Sequence, residues 1–323
     1  MDFNLDETQQ DLRKLAAEVL AKEDGERLRQ AGLMSVCVPE EAGGAGLGPV
    51  EMAVVLREVG ARAAPVPVLP TLVSTLTLAH CGTLDQQRRL SDGATVALRE
   101  PGRAPADPPL TTARPVDGGW ALTGRKVSVP YPGGWVLVSA DEGLFLVESP
   151  PTIPEYTSTG EPAATIALDG TPAERVAGPE AVTGARRLFM AAVAAQASGV
   201  LAGALELTTG YIRTRKQFGR ALAEFQAVTM QIADVYIAAR ALDVAMWSAA
   251  WRLGEGLPAD QDLALAAYHV SEAFKALYTC QHLHGGMGLD VTYPLHRYFA
   301  QAKHLSHLLG GADAQLDLIG ALV

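Results

Sequence analysis

The sequence predicts an α+β fold of segregated units: an N-terminal helical stretch, a middle antiparallel β stretch and a C-terminal helical bundle. Three observations carry that prediction. Apolar residues recur at helical spacing up to Leu90. Between Gly93 and Gly178 the helical period gives way to short alternating runs cut by glycine turns. From about Val182 helical spacing returns and persists. The corresponding spans are 1–92, 93–180 and 181–323, without an internal repeat.

The first span opens with an amphipathic helix over residues 5–22, whose apolar face is Leu5, Leu12, Leu15, Ala16, Val19 and Leu20. A short helix covers Glu26 to Gln30. Gly43, Gly44, Gly46 and Gly48 fall within six residues, too many for a helix, so this stretch is a loop. Pro49 suits the first turn of a helix running to about Arg62. Pro65, Pro67 and Pro70 interrupt the pattern, which resumes through Leu78 and closes with a polar helix over Leu84 to Leu90.

The middle span offers strands at residues 94–98, 120–123, 126–129, 135–139, 144–147 and 164–168. Asp117-Gly118-Gly119, Pro132-Gly133-Gly134, Asp141-Glu142-Gly143 and Asp169-Gly170 separate them, as in a small antiparallel barrel or sandwich. Residues 103–109, rich in proline, read as a stiff loop. The last span offers helices over about 183–214, 221–253, 260–283, 293–308 and 313–321. The first of these is rich in Ala and Gly, so it lies inside the bundle, where small residues let helices approach closely.

The totals narrow the function. The chain has 323 residues, 48% hydrophobic and 19% charged, which is a globular composition with a sizeable core. A net charge of −10 argues against general nucleic-acid binding and against an acidic membrane surface. Three separated cysteines with no CxxC pair fit a reduced, cytoplasmic protein without a zinc site. The first residues show no leader pattern, and no uninterrupted apolar run is long enough to span a bilayer. His282, His284, His296, His304 and His307 sit among apolar residues and glycines without a carboxylate cluster, so no metal site is expected.

One stretch stands out, Arg213 to Gln226. It reads as a helix–turn–helix corner with Gly219 at the turn and an apolar face of Phe225, Val228, Thr229, Ile232, Val235, Tyr236 and Ala239 behind it. Two arginines and a lysine sit beside an aromatic ring at that corner. Such a corner binds an anion such as a phosphate, or is a solvated helix end whose cations favour the helix dipole. The pattern alone leaves both open.

Four motifs in order make the chain resemble the acyl-CoA dehydrogenase family over essentially its whole length. They are Val38-Pro39-Glu40-Glu41-Ala42-Gly43-Gly44, Glu100-Pro101-Gly102, Arg215-Lys216-Gln217-Phe218-Gly219 with Phe225-Gln226, and His282-Leu283-His284-Gly285-Gly286-Met287-Gly288 with Tyr293-Pro294. The resemblance implies a flavoprotein in which Arg215, Gln217, Phe218, Leu222, Gln226, His282, Gly285 and Gly286 touch FAD held mainly by a neighbouring subunit. It also implies an acyl-CoA substrate, α,β-desaturation and transfer of electrons to an electron-transfer flavoprotein.

The same resemblance exposes departures. Leu309 stands at the position of the family's usual glutamate base, and Phe189 falls at the alternative base position, so no catalytic residue is assigned. Ser128 and Pro130 replace the aromatic and threonine beside the flavin ring. The chain is most similar to the smaller, catalytically incomplete subunit of actinobacterial heterotetrameric (α2β2) steroid side-chain acyl-CoA dehydrogenases. That implies a catalytically complete partner subunit and a steroid CoA thioester. The competing expectations are a flavin-free scaffold or regulatory subunit, and a homotetramer whose base is displaced to Asp290 or Asp313.

Overall fold

The computed structural model describes residues 3–22, 25–91 and 93–322. Helix α1 (Glu7–Leu20) is started by a capping box: Asp6 accepts from Gln9 N, and the Gln9 side chain accepts from Asp6 N. It buries Leu12, Ala16 and Leu20, while Leu15 of the expected face stays 39% exposed. Helix α2 (Gly25–Gln30) precedes the glycine loop, which contains a 3-10 turn at Glu40–Ala42 ended by left-handed Gly43. Helices α3 (Pro49–Ala61), α4 (Val68–Cys81) and α5 (Leu84–Arg89) follow.

The strands are β1 (Thr95–Ala97), β2 (Thr112–Val116), β3 (Gly119–Pro130), β4 (Trp135–Ala140), β5 (Gly143–Glu148), β6 (Thr152–Tyr156) and β7 (Pro162–Ala177). Their order is β1-β4-β5-β7-β3-β2, with β6 on β7. All pairs are antiparallel except β1 with β4, which is parallel. Strands β2 and β6 had no expected counterpart. Their sequences, Thr-Ala-Arg-Pro-Val and Thr-Ile-Pro-Glu-Tyr, carry prolines and are largely exposed, so they lack clean alternation and sit where proline is tolerated. Leu122, Val129, Phe145, Ile166 and Leu168 form the core of this sheet.

Helix α6 (Pro179–Thr214) leads to a two-stranded ladder of β8 (Lys216–Gln217) and β9 (Arg220–Ala221). Then come α7 (Gln226–Gly254), α8 (Asp260–His284), α9 (Leu295–Leu308) and α10 (Gly311–Leu322). The corner between α6 and α7 is therefore not a plain helix–turn–helix. A miniature hairpin and a 3-10 turn (Leu222–Glu224) intervene, so α7 starts later than the expected residue 221.

Two compact units emerge, and they group residues differently from the three expected spans. One holds residues up to 21, 53–64 and 193 onward; the other holds 22–52 and 65–192. In the first unit α3 and α6 meet backbone to backbone. A Cβ added to Gly60 would lie 1.9 Å from Gln196 O, and one added to Gly199 would lie 1.9 Å from Arg57 O. The small-residue stripe of α6 thus allows the close approach its composition suggested. A polar tie locks the same helices to α7. Arg57 donates from Nε and Nη2 to the Asp243 carboxylate at 3.2 and 3.3 Å, and Ser198 Oγ donates to it as well.

Helix α6 is long and apolar enough to cross a membrane by length and composition, its most apolar 18-residue window having a mean hydropathy of 1.8, although Gln196 and Ser198 interrupt its apolar run. Its weak charge content follows from its place in the core: 78% of that apolar window is buried inside the protein.

Candidate functional site

The α6–α7 connection is built by a two-residue turn. Lys216 pairs with Ala221 and Gln217 with Arg220, leaving Phe218 and Gly219 at the tip. Both have positive φ, 50° and 80°, as the primed turns of tight hairpins require. Gly219 adopts this freely. An aromatic residue there costs on the order of 1 kcal/mol or more. Yet Phe218 is 92% exposed, so burial does not offset that cost. Phe225 holds the base of the hairpin: Arg220 lies over its ring at 4.0 Å, and Phe218 meets it edge-on at 6.4 Å. Arg220 is thereby engaged. Arg213, Arg215 and Lys216 are exposed and make no side-chain hydrogen bond or ion pair among the described residues. Gln217 and Gln226 are exposed as well, and Leu222 is half-buried.

The second predicted segment begins where α8 ends. His282 is exposed and His284 is buried. Gly285 takes φ 60° and ψ −138°, a combination essentially reserved for glycine. A Cβ added to Gly285 or Gly286 would meet nothing within 4 Å, so the backbone here faces open space. Gly288 differs: its Cβ would lie 2.8 Å from Gln281 O, which makes it a packing glycine.

The two segments are joined. Tyr211, one turn before Arg215, stacks on His284 with ring centroids 4.3 Å apart. His284 Nδ1 faces Cys280 O at 2.8 Å, so Nδ1 carries the hydrogen and Nε2 accepts from Tyr293 OH at 3.1 Å. Burial pushes the His284 pKa down, partly opposed by the Cys280 bond, which keeps this neutral tautomer. Sequence reasoning missed Tyr211 and Tyr293 as members of this site. The available clue was that Tyr211 precedes Arg215 by four residues and so shares its helical face.

Neither of the two expected base positions is a carboxylate. Leu309 is buried at the end of α9, 1% exposed, and Phe189 is half-buried on α6. Asp290 spends Oδ1 on Thr292, accepting from its N at 2.8 Å and its Oγ1 at 2.7 Å. Those bonds hold its pKa below the usual carboxylate range. Asp313 is exposed in the first turn of α10. Among the described residues no group of three metal-ligating side chains converges.

The β unit has a polar centre of its own. Lys126 is fully buried and donates to Glu100 Oε1 at 2.7 Å and to Ser139 Oγ at 3.0 Å. Glu100 also accepts from Leu110 N at 2.5 Å, Thr111 N at 2.9 Å and Thr111 Oγ1 at 2.6 Å. Burial alone would raise the Glu100 pKa, but the bonds from Lys126, Thr111 and Leu110 outweigh it and bring it to about 2. Burial lowers Lys126 to about 8 against the upward pull of Glu100. The loop after Glu100 is tied down by Arg186, which donates to Ala106 O at 3.2 Å and to Asp107 O. Ser128 sits at a bulge in β3 with φ 52°.

A helical start, a sheet unit and long C-terminal helices in this order form the acyl-CoA dehydrogenase fold. A family model described as acyl-CoA dehydrogenase, C-terminal domain, matches residues 186–323, and the N-terminal domain model matches residues 6–94. Acyl-CoA dehydrogenase FadE28 of Mycobacterium tuberculosis is 39% identical over 340 residues, covering 99% of this chain and 98% of that protein. A chain of the steroid ACAD Tcur3481-Tcur3483 is 37% identical with a TM-score of 0.90, covering 98% of this chain and 97% of that one. A chain of the ChsE4-ChsE5 complex from Mycobacterium tuberculosis is 31% identical with a TM-score of 0.90, covering 99% and 98%. The chain belongs to the acyl-CoA dehydrogenase family of oxidoreductases.

Proposed function

We propose that this chain is the flavin-completing, base-lacking subunit of a heteromeric, FAD-dependent acyl-CoA dehydrogenase. The observation that carries the proposal is one open edge. The Arg215 side chain has no hydrogen-bond or ion-pair partner among the described residues, Phe218 is displayed at 92% exposure, and the Gly285–Gly286 backbone, joined to the end of α6 through the Tyr211–His284 stack, faces open space. This edge fits the diphosphate of FAD. A guanidinium pairs with phosphate oxygens, and glycine backbone permits close approach. Arg215, Gln217, Phe218, Leu222, Gln226, His282, Gly285 and Gly286 are the residues assigned to it. The chain's own flavin half does not fit: Ser128 offers no aromatic wall, Pro130 has no backbone donor, and the Glu100 carboxylate is consumed internally.

α,β-Desaturation removes the α-proton of an acyl-CoA to a carboxylate as hydride leaves Cβ. FAD, when bound, supplies the hydride acceptor. With Leu309 and Phe189 at the two expected base positions, the carboxylate would come from the partner subunit, and an electron-transfer flavoprotein would be the assembly's electron acceptor. The similarity to a steroid ACAD and to the ChsE4-ChsE5 complex supports a two-chain enzyme acting on steroid side-chain CoA thioesters. An α2β2 assembly in the cytoplasm, without nucleic acid or membrane, follows from the same reading. Met230, Ile237 and Val244 form an exposed apolar stripe along α7, 62%, 63% and 48% exposed, suited to covering by that partner.

Co-expression with a base-bearing acyl-CoA dehydrogenase tests this. The expected product is a yellow complex in which Arg215→Ala lowers flavin occupancy, with affinity weaker by roughly tenfold or more. Unchanged flavin content in that variant would favour a flavin-free scaffold. Turnover of an acyl-CoA by the chain alone would overturn the proposal in favour of a homo-oligomer with a displaced base. The closed Asp290–Thr292 turn argues against the latter.

A further inference from the structure

Tyr211, His284 and Tyr293 form one network beneath the open edge. Arg215 N donates to Tyr211 O at 2.8 Å, so the last turn of α6 places the Tyr211 ring and the Arg215 backbone together. On the other side, His284 is the last residue of α8 and immediately precedes Gly285. Its ring is fastened back to Cys280 O and stacked on Tyr211, while Tyr211 OH donates to His284 O at 3.4 Å. Tyr293 closes the far end of the glycine segment. Its OH reaches His284 Nε2, its ring meets Tyr211 edge-on at 6.5 Å, and its backbone N donates to Asp290 O at 3.0 Å. Gly285 and Gly286 have no side chains, and a Cβ there would touch nothing. The turn therefore depends on its flanking residues for its place.

We infer that Tyr211, His284 and Tyr293 are positioning residues that hold the Gly285–Gly286 turn in register with Arg215, making two distant segments one preorganised edge for a dinucleotide diphosphate. The ligand class rests on the function proposed above; the coupling of the two segments does not. An edge set before binding loses less conformational freedom when its ligand arrives. Either segment set loose would weaken the contacts of both.

Hydrogen–deuterium exchange on the full chain without flavin reads the coupling directly. In Tyr211→Ala, amide exchange rises about tenfold both at residues 215–217 and at 285–288, while the buried stretch of α6 at 193–204 stays unchanged. Tyr211→Phe keeps the stack, loses only the 3.4 Å bond, and exchanges as the parent does. Tyr293→Phe, which removes one hydroxyl and leaves the core intact, gives a smaller rise at both segments and carries the same test should Tyr211→Ala fail to fold. A rise confined to one segment, or a Tyr211→Phe variant as loose as Tyr211→Ala, overturns the inference. In the co-purified two-subunit enzyme, Tyr211→Ala weakens FAD retention about tenfold and Tyr211→Phe restores it. If Arg215→Ala leaves flavin content unchanged while the exchange results hold, the flavin assignment falls and the coupling stands.

Discussion

In the β unit, Lys126 is 0% exposed, and its ammonium, the Glu100 carboxylate, Ser139 and Thr111 satisfy one another. At the end of α6, Arg215 and Lys216 face outward with no internal partner among the described residues, beside a strained and exposed Phe218. Both centres are charged, and both lie in or beside stretches that resemble acyl-CoA dehydrogenase motifs. The difference lies in where the interactions end. A buried charge left alone costs several kcal/mol, so the Glu100–Lys126 pair has to close on itself to permit folding. An exposed guanidinium carries no such cost and stays available. A motif that has turned inward supports the fold; one that remains unsatisfied is available for a partner.

The largest expected effect breaks the closed centre. Lys126→Met leaves Glu100 buried and unpaired and should cost about 3–5 kcal/mol, read from the chemical-denaturation midpoint. Arg215→Ala in the isolated chain should stay within about 0.5 kcal/mol of the parent. Comparable losses from the two would erase the contrast.

Acid probes the closed centre without mutation. The folded Glu100 pKa lies at about 2, below its ordinary 4.5, so the unfolded chain binds the proton more readily. Its stabilisation is complete above pH 4.5 and is lost as pH falls toward 2, on the order of 3 kcal/mol. Glu100→Gln should flatten that part of the stability–pH profile; an unchanged acid limb would remove Glu100 as its source.

Effects smaller than those at the closed centre divide the glycine turn. Gly285→Ala forces a side chain onto φ 60° and ψ −138° and should cost about 1–3 kcal/mol. Gly286→Ala meets open space and should leave the isolated chain's stability within about 0.5 kcal/mol. Its cost should appear only in the two-subunit enzyme, as weaker flavin retention. Equal thermal melts for the two variants would mean that Gly285 is not conformationally required.

Much of the fold was legible in the chain. The first helix, the glycine loop before Pro49 and the Ala/Gly stripe of α6 each match what their local chemistry dictates. The exposed strands β2 and β6 were not legible, because alternation marks a strand only when one face is buried. The hairpin inside the corner was missed for a related reason. Phe218-Gly219 reads as a helix stop, and only the pairing of Lys216 with Ala221 turns it into a ladder.

By itself, the sequence determined the family, the order of elements, the cationic corner and the lack of carboxylates at Leu309 and Phe189, because residue type and spacing encode these directly. Only the tertiary structure decided which charges are satisfied. Lys126 and Glu100 are far apart in sequence and become a pair when β3 packs beside the chain after β1. Tyr211 and His284 are farther apart still, and only the meeting of the ends of α6 and α8 makes Arg215 and the Gly285–Gly286 turn a single edge. Satisfaction of a polar group depends on which neighbour arrives in space, and nothing in local spacing specifies that neighbour.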